Sequence, residues 1–113
     1  MKTYAGRRDI DGLVVTVNGE RLDEHYDVKR FTKWGFEWTY EGASPQQLAL
    51  AILCDHLGDR ERAIVFSEPF MQRVVANLDN DWTLKTDEVE GAIKEIDEKY
   101  HPQRKERAVS NSD

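Results

Sequence analysis

Residues 34–57 read WGFEWTYEGASPQQLALAILCDHL, and they decide the fold class. Trp34, Phe36, Trp38 and Tyr40 alternate with Gly35, Glu37, Thr39 and Glu41, and this period of two predicts a strand half buried against an apolar layer. Gly42-Ala-Ser-Pro45 breaks that strand. Ser44 suits an N-cap, Pro45 the first helical position and Gln47 the third position of a capping box. The helix that follows is apolar on nearly every side from Leu48 to Leu57, as expected of a helix covered by a sheet and by other helices. Gly58 is its expected stop.

Toward the amino end, Lys2 to Arg8 reads as a short first strand and Asp9-Ile-Asp-Gly12 as a turn. Leu13 to Val17 is rich in β-branched residues, and Asn18-Gly19 predicts a hairpin, because a type I′ turn needs positive φ at both central positions. Asp23 to Lys33 is a polar connection. Its His25 has no carboxylate or second histidine at a spacing that would orient it for catalysis or metal binding.

Toward the carboxyl end, Asp59 to Phe66 is open between helix and strand, with a helical turn or two preferred. Ser67-Glu-Pro69 resembles a helix start, predicting a helix over Pro69–Leu78. Trp82-Thr-Leu84 reads as a last short strand or an extended link. Thr86 is the expected cap of a helix over Asp87–Tyr100, with Val89, Ile93, Ile96 and Tyr100 as its apolar stripe. The expected fold is α+β: a small antiparallel sheet, made of the N-terminal hairpin and the aromatic strand, packed on three main helices. One domain over residues 1–100 is followed by a tail, 101–113, without apolar period and expected to be disordered.

Composition narrows the function. In 113 residues the apolar share is 39% and the aromatic share 10%, enough for one core. No stretch approaches the roughly 20 apolar residues of a membrane span, no signal peptide is evident and there is one cysteine, all of which point to a cytoplasmic protein. The net charge of −6 is carried by Asp79–Glu98, with eight acidic and two basic residues. Cys54-Asp55-His56 is no nucleophile–base pair, because residues two apart on a helix diverge by about 200°. Glu37 and Glu41 beside the aromatic residues oppose phosphate, so direct nucleic-acid binding is not expected. No cofactor or metal motif is present, and the chain reads as a binding module sooner than an enzyme.

The order of Tyr4-Ala-Gly-Arg7, Trp38-Thr-Tyr40, Gly42-Ala-Ser-Pro45 and Gln47-Leu-Ala-Leu-Ala-Ile-Leu53, then Phe70, Val74, Val75 and Trp82, is similar to an uncharacterised family of short proteins. Its pattern is W-G-Y followed by G-x-G-P-x-Q-L-A-L-A-I-L. Members occur in bacteria, archaea, plasmids and phages. Thr39 and Ser44 stand where that family usually has glycine, substitutions acceptable in a strand and a cap. The resemblance implies one compact domain in a mobile-element setting and transfers no catalytic residue.

Two sites are therefore expected. The first is an acidic strip on the last helix, with Glu90, Glu95, Asp97 and Glu98 meeting a basic or nucleic-acid-binding protein partner. The alternative is a small ligand-binding or enzyme site gathered near the strand-to-helix turn from Tyr4, Arg7, Trp38 and Gln47.

Overall fold

A computed structural model describes residues 1–100; the expected disordered tail, 101–113, lies outside the described residues. Strand β1 (Thr3–Asp9) and β2 (Gly12–Val17) form the first hairpin, and β2 turns into the two-residue β3 (Glu20–Arg21). The helices are α1 (Ala43–Leu57), α2 (Arg60–Arg73) and α3 (Thr86–Tyr100), and β4 (Trp82–Lys85) immediately precedes α3. The result is an α+β fold with a four-stranded antiparallel sheet in the order β3-β2-β1-β4.

Turn chemistry sets the hairpins. Asn18 and Gly19 both take positive φ, 51° and 85°, as the Asn-Gly turn requires. Along β1, Tyr4 and Gly6 face the helices, opposite Val17 and Val15 of β2 on one side and Leu84 and Trp82 of β4 on the other. Gly6 is needed there, since a Cβ would lie 2.4 Å from the Trp82 indole. Trp82 in turn meets Trp38 edge to face, with ring centroids 5.7 Å apart. Its Nε1 is buried and finds no partner among the described residues.

Helix α1 is the centre of the core. Leu48 to Leu53 are wholly buried, and Ala63, Phe66, Phe70 and Met71 of α2 and Val89, Ile93 and Ile96 of α3 join the same cluster. Gly58 ends α1 in the left-handed conformation, its N–H donating to the Cys54 carbonyl.

Four local expectations are corrected. The aromatic run 34–41 is not a strand. Gly35 and Thr39 sit at φ of 83° and 82°, which bends the path at both places, and the sheet position beside β1 is taken by β4. Of the four alternating aromatics only Trp38 is buried, while Trp34 is 78% exposed. Second, Ser44 and Gln47 do not form a capping box. Helix α1 has no side-chain cap, and both side chains point into the protein, to partners described below. Third, α2 does not begin at Ser67. Asp59 caps it, accepting from the Arg62 N–H at 3.1 Å, and the helix runs through Pro69. Proline cannot supply the N–H that the Val65 carbonyl would receive, but Val65 is 68% exposed and water can serve it. A 3-10 turn at Val75–Asn77 replaces the end of the expected helix. Fourth, the Thr86 hydroxyl bonds the Lys2 backbone, accepting from its N–H and donating to its carbonyl. It is Glu88 that closes the start of α3, accepting from the Lys85 N–H at 3.0 Å.

Thr39 is one of three non-glycine residues with positive φ among the described residues. A β-branched residue is strained at φ 82°. Replacing it by glycine relieves that strain at the cost of extra chain entropy in the unfolded state. Thr39→Gly is expected to raise stability by about 0.5–1 kcal/mol in urea titration, whereas Thr39→Val should not.

Candidate functional site

The acidic residues of α3 are already engaged. Glu90 pairs with the His56 imidazole of α1, and Glu95 accepts from Arg73 of α2 at 3.0 Å. Asp97 and Glu98 are half-buried and also have interaction partners. Glu90 and Glu95 thus brace α3 against α1 and α2, respectively.

Nor do the four residues of the alternative site converge. Tyr4 is wholly buried and donates to the Asp55 carboxylate at 2.7 Å, an acceptor shared with Lys2 at 3.1 Å. Burial, reinforced by Asp55, holds the phenol far above its ordinary pKa. Arg7 lies on the opposite, solvent-facing side of the sheet, 3.9 Å from Asp9. Trp38 is wholly buried, with its Nε1 donating to the Asn80 carbonyl at 3.2 Å. Gln47 is wholly buried elsewhere, against residues 24–31. Three of the four are packing residues, each with its polar group satisfied.

Cys54, Asp55 and His56 point three ways, as the helix geometry requires. Burial pushes the Cys54 thiol up to about 11, so it stays protonated and unreactive near neutral pH.

His25 does have carboxylate neighbours, contrary to expectation. It takes φ of 57°, and the curled connection brings donor atoms of Asp23, His25 and Asp27 within 4.8 Å of one another. Such a set could hold a cation, although Asp27 is also approached by Arg60 at 3.5 Å.

A concave surface lies elsewhere. A groove of about 560 Å³ runs between β2 and the bent segment 34–36, lined by Leu13, Val15, Leu22, Trp34 and Phe36 with Arg21 and Glu24 at its side. Trp34 and Leu13 are its exposed apolar walls. The polar side chains at the start of α1 hold this wall in place. Gln47 accepts from the Phe31 N–H at 2.8 Å and donates to the carbonyls of Glu24 and Lys29 at 2.8 and 3.0 Å. Ser44 donates to the Thr32 hydroxyl at 3.0 Å, which accepts in turn from the Trp34 N–H at 3.1 Å. Arg8 fixes the next residues with a two-bond grip on Glu37 at 2.8 and 3.2 Å and stacks over the Trp38 ring at 4.8 Å.

Cations crowd the same segment. Arg30 lies 4.4 Å from the Tyr26 ring centre, Lys33 5.1 Å from that of Trp34 and Lys29 5.8 Å from that of Phe31. The signal was present in the sequence as Lys29-Arg30-Phe31-Thr32-Lys33-Trp34. It was concealed because Trp34 reads as the first inward residue of a strand.

Residues 4–95 match a family of unknown function, DUF6166. The chain belongs to that family. No curated protein and no solved structure matched the chain. In this DUF6166 domain the S-P-x-Q turn, Ser44 to Gln47, therefore spends its polar side chains on the groove wall.

The Arg8 bond, opposed by partial desolvation and aided by the Trp38 N–H, holds the Glu37 carboxyl below its ordinary value of 4.5. A depressed acid stabilises the fold above its unfolded pKa, and that contribution disappears as pH falls through the folded value. Stability measured by denaturant titration should therefore decline below about pH 4.5 in the parent protein, and decline less steeply in Glu37→Gln.

Proposed function

We propose that this domain is a non-enzymatic protein-binding module of a mobile element or phage, and that it holds its partner in the groove between β2 and residues 34–36. One observation carries the reading: a tryptophan 78% exposed, its backbone N–H bonded to the Thr32 hydroxyl, forms the wall of an apolar groove. Leaving an indole in water forgoes on the order of 2–3 kcal/mol of burial, and aromatic side chains of this kind are the usual anchors of protein interfaces. A partner from the host or the element suits the plasmid and phage setting that the sequence resemblance implies.

The version in which α3 engages a basic partner is less well supported. Its Glu90 and Glu95 would have to exchange His56 and Arg73 for new cations, and such exchanges between exposed pairs gain little.

Site-directed photo-crosslinking separates the two surfaces. A benzoylphenylalanine at position 13 is expected to capture a discrete protein in cells that make the domain, and Trp34→Ala should abolish the adduct. The same probe at Val65, exposed on α2, should capture none. An adduct from position 95 that survives Trp34→Ala, with none from position 13, would transfer the contact surface to α3.

A further inference from the structure

Resting on that reading, we propose that the occupant of the groove is an acidic protein segment in extended conformation, which adds to the sheet as a strand along the free edge of β2.

The backbone supplies the first argument. The ladder from β2 to β3 covers Thr16 and Val17, and the Leu22 N–H reaches the Val15 carbonyl at 3.0 Å. Beyond that point β2 has β1 on one side and, among the described residues, no strand on the other. Backbone groups of alternate residues point to the same side of a strand, so the N–H and C=O of Leu13 face the open edge, as those of Val15 face β3. An unpaired edge beside an apolar groove is the geometry of strand addition: main-chain bonds supply affinity, and every second side chain enters the groove. Here that side chain would meet Leu13, Trp34 and Phe36.

Charge supplies the second. Lys29, Arg30 and Lys33 lead into the groove wall, and each contacts a ring while pairing with no carboxylate among the described residues. Of the neighbouring acids, Glu24 pairs with Arg21 at 2.6 Å, Asp27 with Arg60 and Glu37 with Arg8. Lys33, over the Trp34 ring at the groove wall, is therefore an unpaired cation among the described residues of a chain whose net charge is −6. Carboxylates on the outward residues of an added strand would complement it.

A nucleic acid fits the same surface less well. Arg30 and Lys33 already lie over one face of Tyr26 and of Trp34, which leaves fewer faces for base stacking. Nor can bases use the paired donor and acceptor of a strand edge as a peptide backbone does.

The test uses a labelled peptide of about eight residues, alternating Glu with Val and Phe, against the full chain. Its controls are the counterpart with Lys for Glu and an oligodeoxythymidine. Fluorescence anisotropy should show binding of the acidic peptide, weakened about tenfold or more by Arg30→Glu with Lys33→Glu, and similarly by Trp34→Ala. The amide resonance of Leu13 should shift on binding in the parent protein. Equal binding of the Lys peptide, tighter binding of the oligonucleotide, indifference to the charge reversal, or no binding of the acidic peptide would each overturn the proposal. An adduct from position 13 alongside any of these results would leave the protein-binding reading standing while the acidic strand fell. Loss of that adduct would remove the reading itself.

Discussion

The buried amide of Gln47 connects the regular and irregular parts of this protein. Its oxygen and nitrogen satisfy three backbone groups in residues 24–31, none of which has a strand or helix to serve it. A buried polar group left without a partner costs about 1–3 kcal/mol. Losing this side chain would expose three such groups to that penalty at once. Ser44 extends the same grip through Thr32 to Trp34, so the first turn of α1 holds a connection of irregular backbone against the most apolar helix.

That arrangement ties down the backbone on either side of an exposed tryptophan. Residues 34–36 lie in no sheet, yet their backbone is tied down on one side by Thr32 and on the other by Arg8 through Glu37 and Trp38. The wall facing β2 is consequently built without a strand of its own, and β2 keeps an open edge. Gly6 has the complementary role on the other side of β1, where the absence of a side chain lets Trp82 lie flat on the sheet and β4 take the neighbouring position.

Much of this was legible in the sequence. The Asn18-Gly19 hairpin, the dense apolar run of α1, its Gly58 stop and the Val89-Ile93-Ile96 stripe each follow from a local rule, and each is where the rule puts it. The misreadings share a cause: local patterns have more than one tertiary use. Strict alternation from Trp34 to Tyr40 reads as a strand, but left-handed backbone at Gly35 and Thr39 cannot be seen in a pattern of hydrophobicity. Ser44 and Gln47 match a capping box, yet the distant carbonyls of Glu24 and Lys29 compete for the same amide and prevail. Ser67-Glu-Pro69 mimics a helix start within a helix that Asp59 had already begun. The candidate sites suffered most, because pairing of Tyr4 with Asp55 and of Glu95 with Arg73 depends on contacts between remote parts of the chain.

The central claim is that Gln47 holds the groove wall, and native-state hydrogen exchange at the Phe31 amide tests it most directly. In the parent protein that amide donates to Gln47 and should be protected, despite lying outside any helix or strand. In Gln47→Leu, which keeps the volume and removes the hydrogen bonds, protection at Phe31 should collapse while Leu50 and Leu53 in α1 remain protected. Protection at Phe31 that stays at the parent level in Gln47→Leu would contradict the claim.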